Sequence, residues 1–96
     1  MALLKPGQAG TVESNDIFVI VSPAEPGTGI TINLVSPVVQ KYGKQIQSVI
    51  RDTLLQLGVN DVLVSANDKG ALDCTIRARI TTAVARSMLA EAVVTI

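Results

Sequence analysis

The chain has 96 residues, eight acidic and eight basic side chains, no histidine and one cysteine. That length forms one domain, and zero net charge argues against nucleic acid, whose binding leans on a basic surface that neutralises phosphates. Without histidine the commonest general base and metal ligand is missing, and one cysteine excludes an intrachain disulfide or a thiolate cluster. A stand-alone hydrolase or metalloenzyme is therefore not expected.

Apolar residues make up 48% of the chain, and Phe18 and Tyr42 are its only aromatics. Such a core packs well but offers no stacking platform for bases or sugars. No stretch has the length of a signal peptide or of a membrane span, and no polybasic segment addresses an anionic bilayer. The expectation is a single cytoplasmic domain, 1–96, without nucleic-acid or membrane partners.

Residues 1–8, with Lys5-Pro6-Gly7, read as a loose arm, and Thr11 to Glu13 as a possible short strand ending at Ser14-Asn15-Asp16. Ile17 to Val21 is β-branched and aromatic, which predicts a strand. Ser22 to Gly29 is dense in turn residues and predicts a loop. Ile30 to Val35 alternates apolar and polar, the period of a half-buried strand. The two strands read as an antiparallel pair joined by that loop.

Pro37 suits a first helical position, with Ser36 as candidate N-cap. Val38 or Val39, Tyr42, Ile46, Val49, Ile50, Leu54 and Leu57 then recur at helical spacing, and Gly58 suits a left-handed C-cap. Val62 to Ala66 predicts another strand, and Asn67-Asp68-Lys69-Gly70 a turn. From Leu72 to Ala90 a helical stripe of Leu72, Ile76, Ile80, Ala83 and Val84 competes with a strand-like alternation over Cys74 to Ile80. Alanine content favours the helix. The apolar tail, Val93 to Ile96, is expected to dock on the body or pair with another chain. The predicted fold is α+β, a two-layer sandwich in which a small, mostly antiparallel sheet carries two helices on one face in the order β-β-α-β-α.

No carboxylate spacing forms a recognisable acid/base or metal pair, so no catalytic or metal residues are assigned. Cys74 has apolar neighbours and reads as a small buried hydrophobe. Arg79 and Arg86, seven apart, share a helix face, with Arg77 to the side. They form either a solvated face or a docking site for a phosphate group or an acidic partner. Ser14 on local grounds is an exposed turn serine.

Ala9-Gly10-Thr11-Val12-Glu13-Ser14, the strand from Ile17, the helix centred on Ile46 to Leu54, and above all Asn67-Asp68-Lys69-Gly70-Ala71-Leu72-Asp73-Cys74 with Ile76-Arg77-Ala78-Arg79 resemble the citrate lyase acyl carrier proteins, the gamma subunits of that enzyme. The resemblance implies a carrier rather than a catalyst. In that family the serine of a Gly-Thr-hydrophobic-Glu-Ser motif, here Ser14, carries 2'-(5''-phosphoribosyl)-3'-dephospho-CoA through a phosphodiester. The implied partners are a prosthetic-group transferase and the citrate lyase alpha and beta subunits. Acetyl is exchanged for citryl on the group's thiol at the first subunit, and citryl is cleaved at the second. Glu13 and Asp16 are expected to keep the site polar and solvated. The Asp-Ser-Leu motif and four-helix pattern of fatty-acid-type carriers are absent. Two alternatives stand beside this reading: the malonate decarboxylase carrier subunit, which bears the same group, and a cofactor-free interaction module in which Ser14 only shapes a turn.

Overall fold

The computed structural model describes residues 3–89. Strands β1 (Gly7–Gly10), β2 (Ile17–Pro23) and β3 (Ile30–Val35) are followed by helix α1 (Val39–Gln56), strand β4 (Val62–Asp68) and helix α2 (Asp73–Ser87). The strands form one sheet in the order β1-β2-β4-β3. β1–β2 and β2–β4 are antiparallel, and β3–β4 is parallel. The class is the expected α+β with a mostly antiparallel sheet and two helices, with one more strand at the front of the order.

β2 and β3 are not paired, contrary to expectation, because β4 lies between them. Burial explains the placement. β4 buries Val62, Val64 and Ala66 completely or nearly so, as a central strand does, whereas Ile30, Ile32 and Leu34 of β3 are only half-buried, as on an edge. The loop between β2 and β3 therefore crosses the end of β4. Asp61, just ahead of that strand, pins it: its Oδ1 accepts the Gly27 and Gly29 N–H groups, each at 2.9 Å. α1 then forms the crossover that a parallel β3–β4 pair requires.

Period decides the helices. α1 buries Ile46, Val49, Ile50 and Leu54 against the sheet. It begins two residues later than Pro37, and Ser36 caps the preceding turn, its Oγ accepting the Val38 N–H at 3.2 Å. Its end is at Gly58, where the Val59 N–H returns to the Leu54 carbonyl at 2.9 Å, a wrapped helix end of the Schellman kind. In α2, Ile76, Ile80, Ala83, Val84 and Ser87 are buried. Cys74 and Ala78, which a strand would have placed beside Ile76 and Ile80, are exposed. The helix wins, and Cys74 is exposed rather than buried. Ala90 and the tail to Ile96 lie outside the described residues.

The N-terminal segment is not a loose arm from Leu3 onward. Leu3 is buried, and the Leu4 and Lys5 N–H groups both donate to the Ser87 carbonyl at 3.2 Å, satisfying a helix-end acceptor. Gly7 and Gln8 belong to β1, while Thr11 to Glu13, read as a strand, are loop. β1 lies flush on α2: a Cβ on Gly7 would overlap the Ala83 carbonyl and the Ser87 backbone. Met1 and Ala2 lie outside the described residues. None of the described helices is long and apolar enough to cross a membrane.

The contact of β1 with α2 gives a direct test. Gly7→Ala is expected to destabilise the fold by about 2 kcal/mol or more, because the added methyl meets backbone that cannot rotate away. Urea denaturation of the variant beside wild type measures this.

Candidate functional site

Ser14 sits in the loop that joins β1 to β2, residues 11–16. The Asp16 N–H donates to the Glu13 carbonyl at 3.2 Å, closing a turn with Ser14 and Asn15 at its centre. Asn15 alone of these has positive φ, +65°. That places an asparagine where a type II turn needs a residue tolerant of the left-handed region. Ser14 is exposed, and its hydroxyl makes no hydrogen bond among the described residues.

The loop is braced at both ends. Gly10 turns the chain at φ +95°, where a Cβ would run into the Ile17 carbonyl, so only glycine fits. The Thr11 hydroxyl donates to Asp16 Oδ2 at 2.7 Å and accepts the Glu13 N–H at 3.2 Å. Asp16 Oδ1 accepts the Ile17 N–H at 2.7 Å. From α2, Arg79 donates Nε to Oδ1 and Nη2 to Oδ2, both at 3.0 Å, a bidentate pair spanning 63 residues of sequence. Such forks fix geometry as well as adding energy. Asp16 is thus a partly buried strut, not a group that keeps the site solvated. Its side chain is 14% exposed and that of Arg79 is 40%.

A second tie runs to the β4–α2 turn. The Asn15 N–H donates to the Lys69 carbonyl at 2.8 Å, and the Lys69 N–H to the Asp16 carbonyl at 2.9 Å. Both bonds hold the chain immediately after Ser14. Asp68 anchors the β4–α2 turn in its turn: fully buried, it accepts the Ser36 hydroxyl at 2.8 Å and the Gly70 and Ala71 N–H groups at 3.1 and 2.9 Å.

Of the arginines singled out in the sequence, Arg79 comes to the Ser14 loop through Asp16. Arg86 donates Nη1 to the Gln8 carbonyl on β1 at 2.9 Å. Arg77 is exposed, and its guanidinium has no partner among the described residues. Thr11 and Lys69 are participants to which sequence reasoning gave no role at the site, and Asp16, expected there as a solvating group, acts instead as a brace. No three-member group of His, Cys, Asp or Glu able to hold a metal occurs among the described residues.

The Arg79 hydrogen bonds, helped by Thr11 and the Ile17 N–H and opposed by burial, hold the Asp16 pKa down from 3.8 to about 2. A carboxylate with a depressed folded-state pKa contributes stability that is fully present above its unfolded value and is lost as pH falls through the folded one. Asp16→Asn is expected to cost about 1–2 kcal/mol at neutral pH, toward the lower end because Arg79 is partly solvated. The gap between wild type and variant should stay constant down to pH 3.8 and shrink from there toward pH 2. Urea titrations across that range check it, and a gap independent of pH contradicts the pairing.

A family model described as Malonate decarboxylase delta subunit (MdcD) matches residues 4–87. The citrate lyase acyl carrier protein of Lacticaseibacillus casei (strain BL23) is 52% identical over 87 residues, covering 91% of this chain and 84% of its own. That of Clostridium perfringens (strain 13 / Type A) is 49% identical over 87 residues, covering 91% and 85%. In the crystal structure of a Pseudomonas malonate decarboxylase hetero-tetramer in complex with malonate, one chain superposes with a TM-score of 0.65 at 22% identity, over 88% of this chain and 90% of that one. At that identity the likeness is one of fold. The match across residues 4–87 and relatives near half-identical over nine-tenths of the chain place it in the malonate decarboxylase delta subunit family, among the citrate lyase acyl carrier proteins.

Proposed function

We propose that the chain is the acyl carrier subunit of citrate lyase, a non-catalytic member of a multi-subunit complex, and that Ser14 is the covalent anchor of its prosthetic group. One observation carries the assignment of Ser14. Its hydroxyl is exposed and without an intramolecular partner among the described residues, on a turn whose far side, Asn15 and Asp16, is tied both to the β4–α2 turn and to α2. A modifying transferase needs that access, and a tethered group needs that fixed origin. The residues present fit a phosphodiester-linked group: the hydroxyl has no partner among the described residues, and the charge of Asp16, two residues on, is matched by Arg79.

The group implied by the family, 2'-(5''-phosphoribosyl)-3'-dephospho-CoA, supplies a thiol that bears the acetyl and citryl thioesters. This chain supplies position. A tether lets one acyl group face two active sites at millimolar effective concentration wherever its length spans them, here those of the alpha and beta subunits. Gly10 and Thr11 shape the loop, Asp16 and Arg79 hold it, and Ser14 bears the load. Arg77, Arg79 and Arg86 form the proposed docking face for the arm or an acidic partner. Arg77 is the member of the three with no intramolecular partner among the described residues. A second reading, the malonate decarboxylase carrier, is favoured by the description of the family model. The identities near one half to named citrate lyase carriers favour the first.

The intact mass of the chain isolated from its own host tests the proposal. The chain should carry a mass increase that disappears in Ser14→Ala. That variant should keep its stability within about 0.5 kcal/mol, since an exposed turn side chain contributes little. Unmodified protein from cells with active lyase contradicts the proposal.

A further inference from the structure

Several exposed apolar side chains of the described residues gather at one place. Val38, Tyr42 and Leu72 are 36%, 46% and 70% exposed and border a groove between the start of α1 and the β4–α2 turn. The groove measures about 390 Å³, within the range of small-molecule sites. Ile46 and Ala71 complete its apolar lining, and its polar members are Gln45, Asp68 and Asp73. Gln45 Nε2 donates to Asp73 Oδ2 at 2.9 Å. None of the described residues lining it is a lysine or arginine.

The groove shares its rim with the Ser14 turn. Gly70 lines it, and Lys69, one residue earlier, holds the backbone just after Ser14 through the Asn15 and Asp16 bonds. A Cβ on Gly70 would stand 3.6 Å from Asn15 Oδ1, so the two turns touch. An arm leaving Ser14, the residue before Asn15, therefore starts beside the turn that lines the groove.

We infer that this groove is the resting site for the distal, amide-bearing end of a thiol arm anchored at Ser14. It takes the arm when the thiol is free or carries an uncharged acetyl group and rejects it when the acyl group bears a carboxylate. The inference rests on the carrier reading of Ser14. The apolar walls bury methylene and methyl groups, and the Gln45 amide offers hydrogen bonds to the arm's amides. Two carboxylates in the lining, Asp68 and Asp73, against one neighbouring ammonium, Lys41 Nζ 5.3 Å from the centre of the Tyr42 ring, make a further carboxylate costly to bury. The tether raises the local concentration of the arm to millimolar, so a site too weak for a free ligand is still populated. The acetyl form is then sheltered from water, and the citryl form stands out in solvent for the next active site. A helix of another subunit would also fit an apolar groove; the shared rim with Ser14 favours the arm.

Two measurements separate failure of this inference from failure of the carrier reading. Unmodified chain is titrated with S-acetylpantetheine and with S-succinylpantetheine, which needs no loading of Ser14. The acetyl compound should move the amide NMR signals of Tyr42, Gln45, Ala71 and Leu72. The succinyl compound should bind about tenfold more weakly, the scale of one like-charge contact near a protein surface. In chain whose loading and acetylation are verified by intact mass, the same signals should shift. Leu72→Ser, at an exposed position, should abolish those shifts and speed thioester hydrolysis about twofold, as expected when a millimolar effective concentration half-fills a millimolar site. Equal binding of the two compounds overturns the charge selection. Absence of groove shifts with either compound and in the loaded chain, or groove shifts that arise only when another subunit is added, overturns the resting site. A chain that is never loaded counts against the carrier reading alone.

Discussion

The bidentate contact of Arg79 with Asp16 is the constraint on which the site depends. It joins a helix near the end of the chain to a loop near its start, and both carboxylate oxygens also serve the loop itself through Thr11 and Ile17. Arg79 is placed by packing: Ile76 and Ile80 on the same helix are fully buried against the sheet, which fixes which way the intervening side chain can reach. The hydrophobic core of α2 therefore sets the position of a polar strut, the strut sets the loop, and the loop presents Ser14. An exposed loop with few apolar contacts would ordinarily open at little cost. This one is tied at Asn15, Asp16 and Lys69 as well.

The β4–α2 turn carries a double duty. Its carbonyl and amide at Lys69 hold the backbone beside Ser14, while Gly70, Ala71 and Leu72 border the apolar groove. Asp68 stabilises the turn from beneath with three accepted hydrogen bonds and, among the described residues, no salt bridge. That a carboxylate is buried at this point makes sense when one turn must support both the Ser14 loop and the groove, since a loosely held turn would blur both. A carrier needs no catalytic base, which accords with a chain free of histidine.

Much of this fold was legible in the sequence, and the parts that were not have physical reasons. Ile17 to Val21, Ile30 to Val35 and the α1 stripe follow the periods of strand and helix; the elements stand where those periods put them, although Val38, Val39 and Tyr42 at the head of the stripe remain exposed. β1 escaped because Gly7, Gln8, Ala9 and Gly10 have no strand propensity; small residues are there to let the backbone meet α2. The β2–β3 pairing was misjudged because adjacency in sequence does not reveal that a later strand inserts between two earlier ones. Cys74 to Ile80 alternates like a strand, and only the burial of Ala83, Val84 and Ser87 further on resolves it as helix. Ser14 could be singled out only through a family motif. The partners that brace it, Asp16 and Arg79, lie 63 residues apart and leave no local signal. Once the structure is known, the motif has a mechanical sense: Gly10 makes the turn, Thr11 secures Asp16, and Ser14 stands at the apex.

The central claim is that one hydroxyl on a braced turn bears the acyl-carrying arm. Fragmentation mass spectrometry of the peptide containing residues 6–41, taken from chain purified out of its own host, locates any modification to a residue. The expected result is a phosphodiester-linked group on Ser14 and none on Ser22 or Ser36. A group attached at another residue, or an unmodified Ser14 in an active complex, would contradict it.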